Sequence, residues 1–364
     1  MAILASAIEV GSVRALIPVC VELVKGGHSL FIERRGHFNI EPIKELTSSL
    51  VDLPQDENDL GQFIRDKNIK VVLFSVNVHD PRPLRIARIA QSLGVQTVHL
   101  LDYWNGYRAR MELDGEEVFY PTRYLVPDEY ARQKALEEEI PLELIRVMGQ
   151  PAFADGEANY KTASQQTNPL AGLADNNCNI IMFASEPVAH DQGSSLQNLN
   201  YRGYTENAAL QLLVNALKIM EGAFIAVVLP HPREDAEALE TQWKRCGGAS
   251  YGMIKKGLRG RDLLPFVQGV AGMASTLLYE AWLVGKPVLS IQPSLRNDSL
   301  RVLAKKEGIM FIDQYSQAEE KIVQWLSGLV GLPLHQPQTE LERHKQAPIK
   351  IAEVVFRMAE EKMK

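Results

Sequence analysis

The 364-residue chain has little cysteine and no excess of positive charge. Its three cysteines, Cys20, Cys178 and Cys246, lack metal-site spacing, and their scatter and odd number suggest no disulfide framework. A reducing compartment, the cytoplasm, is therefore expected. The formal net charge of −6 argues against nucleic acid as a partner, because nucleic-acid-binding domains are usually basic.

Long hydrophobic runs are also missing. No stretch of about 18 uncharged apolar residues occurs, so we expect no membrane-spanning helix, although peripheral association with a membrane remains compatible with the sequence. The apolar N-terminus has no basic start and is interrupted by Glu9 and Arg14, which does not fit a signal peptide. At about 100–200 residues per domain, the length predicts two domains. Oligomeric state leaves no signal in this sequence.

Short apolar runs alternate with helical patterns along most of the chain. This alternation predicts βαβ units and hence an α/β fold with parallel sheets. We expect two Rossmann-like domains, at 1–160 and 178–345, with helix fragments and an interdomain linker within 155–177 and a C-terminal helix at 346–364 that could pack back on the first domain. Ligands of such sheets bind at the carboxyl ends of the strands, so the chemistry is expected on loops around a cleft between the two sheets.

The most informative stretch is 269–292, GVAGMASTLLYEAWLVGKPVLSIQ, in which a strand ends and a helix begins. Free backbone N–H groups at a helix start favour a phosphate, and Gly272, Ser275 and Thr276 belong to this turn. Glu280 lies one turn further on the same face, where its carboxylate could accept the hydroxyls of a ribose. The alternative is that Ser275 only caps a helix and Glu280 faces solvent.

A second stretch is 226–235, AVVLPHPRED, where an apolar strand runs into two prolines that aim the ring of His231. An imidazole and the guanidinium of Arg233 at a strand end can contact a diphosphate. The alternative is a turn histidine in solvent. Ser185 and Glu186 follow the first strand of this half, and the topology brings them to the same edge of the sheet.

The order of these two signals resembles the nucleotide-sugar half of GT-B proteins, which include inverting glycosyltransferases, UDP-N-acetylglucosamine 2-epimerases and bacterial capsule and sialic-acid transferases with His-Pro and Ser-Ser/Thr motifs. Gly11, within EVGS at 9–12, lies where such proteins carry a tight acceptor-side loop, and VMGQP at 147–151 resembles their passage out of that domain. The resemblance implies that His231 contacts the donor phosphates, that Ser275 and Thr276 hold phosphate, and that Glu280 binds the ribose. It implies a UDP-linked, or else CMP- or GDP-linked, sugar as co-substrate and no other cofactor.

Two departures shape the expected reaction. Hydrolysing epimerases carry Asp-Ser-Gly-Gly where this chain has Met-Ala-Ser-Thr at 273–276, and retaining enzymes often carry E-x7-E, whereas Gly272 stands eight residues before Glu280. The main expectation is therefore an inverting glycosyltransferase that acts on a glycan or lipid-linked acceptor in polysaccharide biosynthesis. No Asp-x-Asp metal motif stands out. The alternatives are a nucleotide-sugar epimerase or hydrolase, and a non-catalytic GT-B-like binding protein.

An inverting transferase also needs a general base for the acceptor hydroxyl, alongside His231 at the leaving group. Glu9, Asp80 and Asp102 each follow a predicted strand of the first half, and Glu9 and Asp102 are the preferred candidates. The aromatic pair at 103–104 could add a platform for a sugar. The alternatives are that Asp102 caps a helix or pairs with Arg108, and that Glu9 is structural.

Overall fold

A computed structural model describes residues 1–39, 43–76, 80–113, 117–173, 178–329 and 336–361. The strands are β1 (Ala2–Ser6), β2 (Ser29–Glu33), β3 (Leu50–Val51), β4 (Ile69–Phe74), β5 (Gln96–Leu100), β6 (Arg123–Val126), β7 (Ile145–Val147), β8 (Asn179–Ala184), β9 (Phe224–Leu229), β10 (Gly252–Ile254), β11 (Gly269–Gly272), β12 (Val288–Ile291) and β13 (Ile309–Ile312). The helices are α1 (Val10–Lys25), α2 (Glu57–Asp66), α3 (Arg82–Ser92), α4 (Glu129–Glu137), α5 (Gly156–Ser164), α6 (Val188–Gln192), α7 (Glu206–Ile219), α8 (Ala236–Arg245), α9 (Gly260–Leu263), α10 (Thr276–Leu283), α11 (Ala318–Gly328) and α12 (Gln338–Glu361).

The chain forms two compact units, Met1–Asp155 with Thr339–Lys364, and Gly156–Gln338. The first contains a sheet in the order β3-β2-β1-β4-β5-β6-β7, and the second a sheet in the order β10-β9-β8-β11-β12-β13. The paired strands of the described residues run parallel. In each sheet the first strand in sequence lies inside, and the strand order reverses beside it. The expected pair of Rossmann-like parallel sheets is confirmed.

The strands that lie inside each sheet are almost continuously apolar. Residues 69–74 (IKVVLF) and 224–229 (FIAVVL) are buried along most of their length, as expected of parallel strands whose two faces are both covered by helices. Each unit has its own apolar core. Of the described helices, none combines the length and the apolar character needed to cross a bilayer.

The segment 155–177, expected to contain helix fragments and a linker, begins with a helix of the second unit. Within it, Ala163 of α5 is buried, and the ring centroid of Tyr160 lies 5.6 Å from Nζ of Lys286. These contacts place 156–164 with the second unit rather than between the units. A helix fragment was expected in this segment, and α5 is such a helix. Residues 174–177 of the expected linker lie outside the described part of the chain.

The C-terminal helix α12 starts at Gln338, before the expected start at 346, and its apolar stripe, with Ile351 and Val355, belongs to the core of the first unit. The additional turns carry the buried His344, whose Nδ1 accepts a hydrogen bond from the backbone N–H of Gln150 at 2.8 Å. Gly149 has φ +95°, and a Cβ there would lie 2.6 Å from the carbonyl oxygen of Arg343. Because these contacts are polar or involve backbone, the apolar period that predicted the helix does not mark its first turns.

The imidazole of His99 on β5 lies in the core of the first unit. Its centroid is 4.9 Å from the rings of Phe74 and Tyr124, and neither ring nitrogen has a hydrogen-bond partner among the described residues. Burial, with a contribution from Arg110, holds the pKa of His99 well below its usual range. The unfolded chain binds a proton near pH 6.5 and the folded chain does not, so His99 lowers the free energy of unfolding as the pH falls through about 6.5.

We expect His99→Phe to raise the free energy of unfolding by about 1–3 kcal/mol at neutral pH, because it removes two unsatisfied polar atoms and keeps the aromatic packing. The gain should be larger near pH 5 than near pH 8. Urea unfolding followed by circular dichroism at the two pH values measures both effects. The exposed His190→Gln is the control, and a gain that is the same at both pH values would contradict the titration argument.

Candidate functional site

Two residues that follow β8 connect the loops after both neighbouring strands. The hydroxyl of Ser185 donates to Oε1 of Glu234 at 2.8 Å, and Oε2 of Glu234 accepts the backbone N–H of His231 at 3.0 Å. Oε1 of Glu186 accepts the backbone N–H of Ala274 at 2.6 Å. Because β8 lies between β9 and β11, the loops selected from the sequence meet at one edge of the second sheet, at the position where the strand order reverses.

The ring of His231 is fixed in one orientation by its own loop. Its Nδ1 accepts a hydrogen bond from the backbone N–H of Arg233 at 3.2 Å, so a neutral ring carries its hydrogen on Nε2. Burial lowers the pKa of His231, and the guanidinium of Arg233 lowers it further. At pH 7 the imidazole is therefore a neutral hydrogen-bond donor rather than a cation.

Arg233, expected to contact a diphosphate, is engaged in a bidentate ion pair. Its Nη1 and Nη2 donate to the two carboxylate oxygens of Asp191 at 3.0 and 2.7 Å. The arginine side chain is 64% exposed, so solvent screens the pair and its net contribution to stability is small. The structure thus places Arg233 at the edge of the sheet with a carboxylate partner from α6.

A buried polar network sets the direction of the backbone in the turn 273–276. The carbonyl of Met273 accepts hydrogen bonds from Ser290 Oγ at 2.6 Å and Gln292 Nε2 at 3.1 Å, and Gln292 Oε1 accepts one from the hydroxyl of Tyr204 at 3.0 Å. This carbonyl and the N–H of Ala274 belong to one planar peptide unit and point in opposite directions. The network therefore holds that N–H towards Glu186.

The three side chains of this network were not predicted as site residues. The available signal was the pair of polar residues in the otherwise apolar run VLSIQ at 288–292, which is buried in the structure.

Gly272 was predicted as a site residue, and in the structure it allows close packing of two strands. A Cβ there would lie 2.9 Å from the carbonyl oxygen of Ala184 and 2.8 Å from Cδ1 of Leu278, so glycine lets β11 end directly beside β8.

Ser275, Thr276 and Glu280 lie on α10 or at its start. Ser275 is the N-cap, and its hydroxyl accepts the N–H of Leu277 at 3.3 Å, while Thr276 is exposed in the first turn. Glu280 does not face solvent, because Arg261 of α9 binds both of its carboxylate oxygens, with Nη2 at 2.7 Å from Oε1. The pair fixes the orientation of Glu280 and leaves acceptor positions on its oxygens for a hydroxyl group.

The edge of the second sheet is rich in carboxylates. Burial raises the pKa of both Glu186 and Glu234, and Arg202, whose Nη1 lies 3.8 Å from Glu186, partly opposes this at Glu186. Within the described ranges, no group of His, Cys, Asp and Glu side chains has an arrangement that could hold a metal ion. Near this edge, the hydrogen-bond donors that an anionic ligand could use include backbone N–H groups, His231, Arg202 and Arg233. Both arginines also face carboxylates.

In the first unit, Asp102 is fully engaged in a buried contact, which argues against its predicted role as a base. Its Oδ2 accepts the hydroxyl hydrogen of Ser12 at 2.8 Å, and its Oδ1 lies 2.6 Å from Nη1 of Arg110, with both members of the ion pair only 8% exposed. The partner is thus Arg110 and not Arg108, which pairs with other carboxylates. A Cβ at Gly11 would lie 3.1 Å from Oδ2 of Asp102, so the loop at the start of α1 packs directly on this carboxylate.

The other candidates of the first unit differ from Asp102. Glu9 occupies the N-cap position of α1 without capping it, and within the described residues its half-buried carboxylate makes no hydrogen bond or ion pair. Asp80 pairs with Arg35 at 3.5 Å, and residues 77–79 before it lie outside the described residues. Trp104 is buried and donates to Asp128 at 2.9 Å, so it is a core residue and not a sugar platform.

The contrast between Asp102 and Glu9 predicts different stabilities for two isosteric variants. We expect Asp102→Asn to lower the free energy of unfolding by about 3–5 kcal/mol, because it leaves the guanidinium of Arg110 buried without a carboxylate. Glu9→Gln should change it by less than about 0.5 kcal/mol. Urea unfolding of both proteins checks this, and equal effects would contradict the assignment of Asp102 as a structural residue.

No protein-family model matches the chain, and no curated protein matches its sequence. Solved structures match it along almost its whole length. The UDP-GlcNAc 2-epimerase from Methanocaldococcus jannaschii is 13% identical, with a TM-score of 0.65 over 98% of this chain and 99% of that one. The enzyme from Neisseria meningitidis bound to UDP-GlcNAc is 12% identical, with a TM-score of 0.61 over 98% and 100%. HepE from Anabaena, in complex with UDP and glucose, is 13% identical, with a TM-score of 0.59 over 99% and 98%. At such identities the likeness concerns the fold alone, and the chain has the GT-B fold of the UDP-GlcNAc 2-epimerases.

Proposed function

We propose that the chain is an enzyme that binds a UDP-linked sugar at the carboxyl edge of its second sheet and transforms it there. The observation that carries the proposal is the meeting of the loops after β8, β9 and β11 where the strand order reverses. The fold adds support, because similar structures are described as bound to UDP-GlcNAc, or to UDP and glucose.

The 273–276 turn, His231 and Glu280 have physical roles in this proposal. The N–H groups of the 273–276 turn and the start of α10 favour the negative charge of a diphosphate. The neutral His231 donates one hydrogen bond from Nε2, and Glu280, oriented by Arg261, accepts one from a ribose hydroxyl. When the bond between the sugar and UDP breaks, the same donors stabilise the charge that develops on the leaving diphosphate.

The similar structures favour epimerisation at C2 of the sugar as the first candidate reaction, in preference to the transferase expected from the sequence. Such a reaction removes a proton from C2 and returns one to the opposite face, which needs a general acid–base pair. Glycosyl transfer to a glycan or lipid-linked acceptor is the second candidate. It is favoured by the Met-Ala-Ser-Thr turn and by the carboxylate of Glu9, which has no partner among the described residues and would serve as the base for the acceptor hydroxyl.

Binding of UDP tests the site itself. We expect His231→Ala and Glu280→Ala each to weaken UDP binding about 10- to 100-fold, because each removes a hydrogen bond to or from a charged group. Isothermal titration calorimetry with UDP, CMP and GDP measures the affinities and the choice of base. Glu240→Ala, which removes an exposed carboxylate from α8, is the matched control. If none of the three nucleotides binds, or if the variants bind as the wild type does, this site is not the donor site.

Incubation with UDP-GlcNAc in the absence of an acceptor distinguishes the reactions, with the products followed by proton NMR in D2O. An epimerase produces the C2 epimer with deuterium at C2, a hydrolase releases UDP and the free sugar, and a transferase leaves UDP-GlcNAc intact until an acceptor glycan is added. If an acceptor is glycosylated, Glu9→Gln should lower kcat of that transfer about 10²- to 10⁴-fold, as expected for the loss of its general base, and leave the affinity for UDP unchanged. An unchanged kcat would exclude Glu9, and binding without any turnover would favour a non-catalytic protein.

A further inference from the structure

The carboxylate of Glu186 lies where the proposed function places a phosphate of the donor. Its Oε1 accepts the N–H of Ala274 at 2.6 Å, and the backbone N–H groups of Ala274 and Ser275 both act to lower the pKa of this carboxyl group. These are the N–H groups that precede α10, whose dipole attracts negative charge. An anion from the protein itself therefore occupies this turn.

A hydrogen bond donor that faces one anion is not free to bind a second. The buried network of Ser290 and Gln292 fixes the direction of the Ala274 N–H, so the backbone does not turn away to make room for a ligand. We propose that Glu186 holds the N–H groups of the 273–276 turn in place of the donor phosphate, and that the donor binds by displacing it. Glu186 is then a residue that sets the affinity and the pH dependence of donor binding. This inference rests on the proposed function.

The surroundings of Glu186 allow this exchange. Its side chain is 14% exposed, so it lies at the surface of the site and not in the core of the unit. Nη1 of Arg202, in the loop before α7, lies 3.8 Å from Oε2, and this existing ion pair can retain the carboxylate after it leaves the turn. The other charged groups that face Glu186 are the carboxylates of Asp191 on α6 and Glu234 after β9.

The direction of the pH effect follows from this set of charges. Burial raises the pKa of Glu186, and the carboxylate of Asp191 raises it further, whereas Arg202 and the backbone N–H groups of Ala274 and Ser275 lower it, so that the net shift is upward. A protonated Glu186 is a weaker competitor for the N–H groups than a carboxylate, because hydrogen bonds to ionised acceptors are the stronger ones. The donor should therefore compete better as the pH falls, up to the point at which its own phosphate is protonated.

Three variants separate competition from simple support of the turn. Glu186→Gln keeps an oxygen that can accept the N–H of Ala274 and removes the charge, whereas Glu186→Ala removes both. Glu206→Gln is the control, since it removes a nearby carboxylate that accepts the N–H of Ala189 and does not contact the turn. Calorimetric titration with UDP and with inorganic diphosphate, at several values between about pH 8 and pH 5, provides the measurement.

We expect both Glu186 variants to bind UDP about tenfold more tightly than the wild type, which corresponds to about 1.4 kcal/mol, and the control to change by less than about twofold. The difference between wild type and Glu186→Gln should shrink as the pH falls. Circular dichroism and thermal unfolding establish that each variant is folded, and the isosteric glutamine variant carries the test if the alanine variant is not.

The outcomes distinguish the displacement of Glu186 from the proposed binding of a UDP-linked sugar. Tighter binding of inorganic diphosphate by the Glu186 variants, without added affinity from the uridine, supports the competition and overturns the assignment of UDP. UDP binding by the wild type that is equal or weaker in the Glu186 variants overturns the competition and leaves the proposed function in place. If neither probe binds to any of the proteins, both proposals fail.

Discussion

The hydrogen bonds that Ser185 and Glu186 make at the end of β8 hold the candidate site together. In a doubly wound sheet, only an inner strand has a neighbour on each side, and β8 separates the loop of His231 from the loop of Ala274. Ser185 reaches the loop of His231 through a hydrogen bond to Glu234, and Glu186 binds the N–H of Ala274 directly. The exposed ion pair of Arg233 with Asp191 adds a further contact between the loop after β9 and the segment after β8.

Several carboxylates at the strand ends of both units connect neighbouring loops and helices through hydrogen bonds and ion pairs. Glu33, at the end of β2, accepts hydrogen bonds from Ser6 at 2.5 Å and from Arg82 at 3.1 Å, much as Asp102 joins Ser12 to Arg110. A carboxylate suits this task because its two oxygens accept several hydrogen bonds, and loops after parallel strands present many donors. The position of a carboxylate in the fold, and not its residue type, therefore decides whether it is available for chemistry. Glu9 is set apart by its lack of such a partner in the described residues.

The fold could be predicted from the sequence because buried parallel strands have short, continuously apolar sequences. The prediction failed where that signal is weak: β6 begins with Arg123 and Tyr124, and β10 has only three residues, so neither strand was expected. The loops of the site could be selected because the topology places every strand-end loop at one edge. Pairings such as Asp102 with Arg110, or Glu280 with Arg261, depend on side-chain directions that spacing along the chain does not determine.

Proteins that share a fold can share a binding site for an anion without sharing a reaction. Backbone N–H groups bind an anion whatever side chains the turn carries, provided that something fixes the direction of the peptide. Here three side chains do so: those of Ser290 in β12, Gln292 directly after β12, and Tyr204 before the N-cap of α7. A Met-Ala-Ser-Thr turn can thus serve as an anion site without the two glycines of the epimerase turn. Such a turn favours an anion, whereas a reaction depends on acid and base groups whose positions the sheet does not impose.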